Sequence, residues 1–173
     1  VDLVPMMVRE YRLARALQPY LEVHKEKHGQ ALDFVFIDCP PSLGLLTINA
    51  FVAADELMVP IQCEYYALEG VNQLLRTLGL VNSSLNATLK IETVLLTMAD
   101  NRTILSNEVA ADVRNSFGDV VLETVIPRSV RLSEAPSFHK TGVMHDPSST
   151  GAQAYVAAAK EFAVRHQGVA DGQ

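Results

Sequence analysis

Apolar positions change their period several times along the chain, and each change marks an element. Met7, Tyr11, Ala14, Leu17 and Leu21 recur at helical spacing with Arg9, Arg12 and Arg15 interleaved. Pro5 suits the first turn of that amphipathic helix and Gly29 its end. From Leu32 to Asp38 the run is short and almost continuously apolar, the pattern of a strand covered on both faces. Comparable runs span 57–62, 91–97 and 120–126, and helical patterns fall between them at 45–54, 67–82 and 105–116. An alanine-rich helix follows at 151–166, with Ser149 or Thr150 available to cap it, and 167–173 reads as a flexible tail.

Strand and helix alternate throughout, which predicts an α/β fold of three layers: a mostly parallel sheet with helices on both faces. In such folds ligands bind outside the carboxyl ends of the strands. The 173 residues suit one domain, taken here as 1–166, and a chain of this size can bury roughly 70% of its unfolded surface. No repeat or low-complexity block divides it.

Composition narrows the function. Hydrophobic residues make up 49% of the chain, yet no run approaches the ~20 residues needed to cross a bilayer and no signal-peptide pattern opens it. A cytoplasmic protein without a membrane anchor is expected. The net charge of −6 excludes an evenly basic nucleic-acid coat but not a local cationic face. Cys39 and Cys63 form no CxxC pair and read as free thiols, and the five histidines have no metal-ligand spacing. Ser42 lies in no GxSxG elbow, so a hydrolase built on it is not indicated.

The strand ends carry the candidate chemistry. The first ends in Asp38, the second reaches Gln62, Cys63 and Glu64, the third ends at Thr97 before Asp100, and the fourth at Pro127 and Arg128. A carboxylate ending a buried strand is how P-loop nucleotidases hold Mg²⁺ beside nucleotide phosphates, directly or through water. An aspartate that only caps a turn is the alternative reading of Asp38. Pro40 and Pro41 fix φ and stiffen the loop after it, and Gly44 allows close backbone approach.

The stretch IDCPPSLGLLTINA resembles the Walker B and switch II segment of the ParA and Soj family of partition ATPases. The likeness continues through PIQCEYYALEG, LLTMADNRTILSNEV, TVIPRSVRLSEAPSF and HDPSSTGAQAY, in the family's order and over nearly the whole chain. It implies a P-loop NTPase-like fold and an ATPase of chromosome or plasmid partition, dimerising with ATP and Mg²⁺. It also implies nonspecific DNA binding at the nucleoid and hydrolysis stimulated by a ParB-like partner. By resemblance Asp38 is the Walker B acid, holding Mg²⁺ through water, and Cys39, Pro40, Pro41 and Ser42 form switch II. Thr97, Met98, Asp100, Pro127 and Arg128 would lie near the nucleotide, and Arg128, Arg131 and Lys140 are candidate DNA contacts. Gly118 and Ser148 stand where some relatives have arginine.

The family's phosphate loop, of the type KGGxGKT, does not occur among the 173 residues, and Lys140-Thr141-Gly142 has no glycine-rich turn before it. The switch I aspartate has no counterpart either. The sequence therefore resembles the C-terminal two thirds or so of such an ATPase, with its N-terminal strand and phosphate loop missing. Apolar edges such as Leu32–Ile37 are then expected to lack a partner strand. Two other readings follow: a non-hydrolysing binding module that keeps dimer or partner surfaces, and a phospho-receiver domain using Asp38 and Thr97. A receiver needs a lysine where Pro127 and Arg128 stand. Partition outranks cell-division positioning, because helix 151–166 lacks the basic amphipathic face of a membrane anchor.

Overall fold

The computed structural model describes residues 8–170, which pack as two compact units. One comprises the residues up to Leu57 together with 72–90; the other comprises 58–71 and everything from Ile91 onward.

In the first unit a 3-10 turn, Arg9–Tyr11, leads into α1, Arg12–His28. Its inner face is Tyr11, Ala14, Leu17, Leu21 and His24, the 3-4 spacing the sequence predicts, each only half-buried. Pro5 and Met7 lie outside the described residues. The helix ends at Gly29, whose φ of 72° lets its N–H turn back to the Lys25 carbonyl. Pro19 sits inside α1 and withholds one helical N–H.

Helix α2, Leu45–Ala53, packs against α1 and supplies a buried amide, Asn49. Asn49 Oδ1 accepts the Leu13 N–H at 3.1 Å, and its Nδ2 donates to the Arg9 and Leu45 carbonyls at 2.9 Å each. A single buried side chain thereby satisfies an otherwise unpaired donor in the first turn of α1. Asn86 does the same at the other end of α2, donating to the Phe51 and Ala54 carbonyls.

The expected first strand, 32–38, does not form. Residues 32–38 run without helix or strand geometry, and among the described residues no strand pairs with them. Leu32, Phe34, Val35 and Phe36 are exposed, where the apolar run predicts burial. A parallel strand exists only through a ladder to a neighbour, so apolar character without a partner leaves extended chain.

Strands β1, Glu56–Gln62, and β2, Lys90–Thr97, pair side by side, and the second unit is built on their residues 58–62 and 91–97. Helix α3, Ala67–Ser84, follows β1, and α4, Ile104–Phe117, follows β2. Beyond a turn at Gly118–Val120 the chain runs along the other edge of β2 with parallel bridges Val94–Val121 and Ala99–Pro127. The Leu122 and Ile126 N–H groups donate to Val94 and Leu96, both at 2.9 Å. This is the fourth predicted strand in position, but not as a continuous ladder. The Glu123 and Thr124 N–H groups are taken by the Glu161 carboxylate instead, and Pro127 has no N–H to give.

Side chains of β2 alternate between two cores, as a central strand must. Val94 and Leu96 pack with Val71 of α3 and with Val109 and Val113 of α4. Leu95 points the other way, to Leu122, Ile126 and Ala158. Ala158 belongs to α7, Thr150–Ala170, so helices cover both faces of a parallel sheet, the three-layer α/β arrangement expected. The loop after Arg128 holds two short helices, α5, Val130–Glu134, and α6, Gly142–His145, started by Ser129 and Thr141. No helix is long and apolar enough to cross a membrane, among the described residues.

Candidate functional site

The sequence-predicted residues fall into two groups, one in each unit. In the first, Asp38, Pro40, Pro41 and Ser42 are exposed on the loop between α1 and α2. The half-buried Cys39 thiol donates to the Ile37 carbonyl at 3.6 Å, and burial, then the nearby Asp38 charge, push its pKa up. It stays a thiol at neutral pH and carries no nucleophile. The far end of the loop is pinned by α2: the buried Thr47 hydroxyl donates to the Ser42 carbonyl at 2.6 Å. Gly44 has an extended φ of −90°, and a Cβ there would meet only Ser42 Oγ at 3.9 Å.

In the second unit, Met98, Asp100 and Arg128 meet at the carboxyl end of β2. With Cys63, Glu64, Thr103, Leu105 and Ser106 they line a pocket of about 260 Å³. Met98 leaves the strand with φ 53°, left-handed backbone that a side-chain-bearing residue adopts at some cost, about 1 kcal/mol or more. Asp100 then turns the chain into α4. Its carboxylate takes Nε and Nη2 of Arg102 at 2.8 and 2.7 Å and the Arg102 N–H at 3.1 Å. The Arg102 side-chain and backbone hydrogen bonds hold the Asp100 carboxyl down to about 2. Arg102 is thus committed to this turn, with its side chain outward in solvent.

Thr97 is brought to the same strand end but faces inward. It is buried, and its hydroxyl donates to the Ile61 carbonyl at 3.3 Å while its own carbonyl accepts the Cys63 N–H at 2.9 Å. Its side chain joins β1 to β2 and is not among the residues that line the pocket. Pro127 bridges Ala99, and the Arg128 N–H donates to the Ala99 carbonyl at 2.9 Å, which fixes the root of the Arg128 side chain. The exposed guanidinium pairs with Glu64.

Of the other basic candidates, Arg131 lies between Glu134 at 3.3 Å and Asp146 at 3.7 Å. Lys140 is exposed beyond the α5 turn. Thr47 holds one loop, Asn49 the first turn of α1 and Ser106 the other loop, all from outside the strand-end pattern. Ser106 Oγ accepts the Asp100 N–H at 3.0 Å, closing the turn that aims Asp100. The signal for the first two was a polar residue recurring inside the apolar run LLTINAFVA.

Comparison with known proteins supplies what geometry leaves open. The sequence profile of a family described as an AAA domain matches residues 1–91. The sporulation initiation inhibitor protein Soj of Bacillus subtilis is 54% identical over 163 residues, 94% of this chain and 61% of that protein. The chromosome partitioning protein ParA of Myxococcus xanthus is 47% identical over 165 residues, 95% of this chain and 56% of that one. This chain belongs to the ParA and Soj family.

Solved structures agree with the family's fold. Cobyrinic acid a,c-diamide synthase of Mycobacterium smegmatis, crystallised with an ATP analog and magnesium, superposes with a TM-score of 0.66 at 38% identity, covering 88% of this chain and 53% of that one. The cell division ATPase MinD of Pyrococcus furiosus does so with 0.65 at 26% identity, covering 88% and 57%. This ParA/Soj chain spans roughly three fifths of the length of the Soj and ParA relatives it matches.

Proposed function

We propose that the chain is the larger part of a ParA-type ATPase of chromosome or plasmid partition. ATP and Mg²⁺ drive its dimerisation and nonspecific DNA binding, and a ParB-like partner stimulates hydrolysis. The observation that carries this is the convergence of Met98, Asp100 and Arg128 at the carboxyl end of β2, where a parallel α/β sheet presents its ligand site. Membership of a nucleotide-binding family supports reading that ligand as a nucleotide.

The donor set suits magnesium only in part. Asp38 offers one hard, exposed carboxylate on a proline-stiffened loop, and no cluster of three histidine, cysteine or acidic side chains stands ready for a metal among the described residues. That matches an ion that keeps most of its waters and takes its other ligands from substrate phosphates. Asp38 would hold such an ion through water, and the ion would neutralise phosphate charge. The loop from Cys39 to Ser42, held at Ser42 by Thr47, would report on the phosphate end of the nucleotide.

The deciding experiment reads the coding sequence immediately upstream of Val1 and assays its full product for ATP turnover with and without DNA. A glycine-rich, lysine-containing loop, and turnover that Asp38→Asn abolishes, are expected. An upstream sequence without such a loop, or a loop-bearing product that turns over no ATP, would overturn the proposal. The binding-module reading draws on the exposed Leu32, Phe34, Val35 and Phe36. Turnover by the 173-residue chain itself would exclude it.

A further inference from the structure

The Glu64–Arg128 ion pair crosses the end of the sheet. Glu64 sits in the tight turn that closes β1, with its N–H donating to the Gln62 carbonyl at 2.8 Å and its carbonyl accepting the Ala67 N–H at 3.0 Å. Arg128 sits at the end of the extended segment on the opposite side of β2, rooted on Ala99. The pair therefore straps the two outer segments together over the carboxyl end of the central strand, at the pocket that Met98 and Asp100 also line.

Each end of the strap is fixed by backbone hydrogen bonds, yet the side chains that close it are about half exposed, at 57% for Arg128 and 50% for Glu64. A pair so wet contributes little to stability, about 0–1 kcal/mol. Its geometry is built, but its closure is easily exchanged. Charge points the same way. The pocket lining carries two carboxylates, Glu64 and Asp100, to one guanidinium, and Asp100 is already committed to Arg102. Glu64 is thus the carboxylate that engages Arg128 directly, and a guanidinium fork accepts phosphate in the same planar, bidentate way as carboxylate.

We infer that Glu64 is a positioning residue that occupies Arg128 in place of a ligand, and that the phosphate oxyanion of an incoming ligand displaces it to take the guanidinium. That the ligand is a nucleotide rests on the function proposed above; that Arg128 exchanges carboxylate for phosphate does not.

The test measures the affinity of inorganic tripolyphosphate at low salt for the unaltered chain, Glu64→Gln, the double variant Glu64→Gln/Arg128→Gln, and Glu69→Gln. Glu69, exposed in the first turn of α3, controls for the loss of one negative charge. Removing the competitor is expected to tighten binding up to about fivefold. That gain should vanish in the double variant and be absent in Glu69→Gln. Equal affinities for the unaltered chain and Glu64→Gln, a gain that survives loss of Arg128, a gain equal to that of Glu69→Gln, or no binding by any variant would each overturn the inference. ATP and a short DNA duplex, run on the same four proteins, tell which source of phosphate Arg128 meets. A tripolyphosphate gain with no ATP binding in any variant would refute the nucleotide reading and leave the exchange standing.

Discussion

The Glu161 carboxylate grips the backbone of Thr124: the Thr124 N–H donates to Oε2 at 2.9 Å, and the neighbouring Glu123 N–H donates to Oε1 at 2.7 Å. Arg165, one turn further along α7, donates to the same carboxylate at 2.7 Å and to the Asp119 and Val121 carbonyls at 2.6 and 3.2 Å. Two side chains of one helix thereby bond the backbone of an edge segment that, among the described residues, has no second strand beside it. Glu161→Ala would strip acceptors from two backbone donors and a partner from Arg165. A loss of about 1–3 kcal/mol in urea-unfolding stability is expected, with a smaller loss for Glu161→Gln, which keeps one acceptor.

Acid should undo the same grip. Burial works against ionisation of Glu161, but the Thr124 and Glu123 N–H groups, the Thr124 side chain and Arg165 outweigh it, so its pKa lies below the ordinary glutamate value. Asp146 is lowered as well, chiefly by the Ser148 hydroxyl, and Asp100 falls to about 2 through Arg102. A carboxylate whose folded pKa is depressed contributes stability in full above its unfolded value and loses it as pH falls through the folded one. Stability should therefore be flat from neutrality down to about pH 5 and decline below it. The Asp100 carboxyl carbon should titrate last when followed by NMR. A midpoint for Asp100 at or above 3.8, its ordinary value, would show that the Arg102 pair does not form in solution.

Much of this architecture was legible in the apolar periods. Helices predicted at 45–54, 67–82 and 105–116 stand at Leu45–Ala53, Ala67–Ser84 and Ile104–Phe117, because each buries one stripe whatever its neighbours do. The run 32–38 failed for the opposite reason: strandness is a property of a pair, and periodicity reports only one member. The short helices α5 and α6 were invisible because they are set by single capping hydroxyls, Ser129 and Thr141, and not by a repeating stripe. At the site, the sequence singled out Asp100 and Arg128 as strand-end residues. It could not show that Thr97 turns inward, since residues facing in and out of a strand end look alike in one sequence.

Leu132 offers a packing test. A Cβ on Gly151 would meet Leu132 Cδ1 at 2.6 Å, its Cγ at 2.8 Å and Ser129 Cβ at 3.0 Å, and one on Gly142 would run into Leu132 Cδ2. Both glycines face the same side chain, so the start of α7 and the start of α6 leave room for Leu132 alone. Gly151→Ala should cost about 1–3 kcal/mol by overpacking. Leu132→Ala made in that background should cost less than Leu132→Ala alone, because it removes the clash together with the contact. Additive losses in a double-mutant cycle would show that the loop moves aside.

The two candidate DNA contacts beyond the strand ends should separate by their local partners. Arg131 sits between Glu134 and Asp146, so much of its charge is already answered within the loop, while Lys140 is exposed on the far side of the turn. A phosphate contact releases counterions in proportion to the charge it brings, and each one removed lowers the slope of log affinity against log salt by about 1. Lys140→Gln should therefore weaken duplex binding by the same factor for unrelated sequences and reduce the salt slope by about 1. Arg131→Gln should leave the slope nearly unchanged and instead loosen the loop, seen as faster amide exchange across α5 and α6. Salt titrations of both variants check this. A slope that falls with Arg131→Gln and not with Lys140→Gln would mean that DNA phosphate displaces Glu134 and Asp146, which would make Arg131 a second site of the exchange inferred for Arg128.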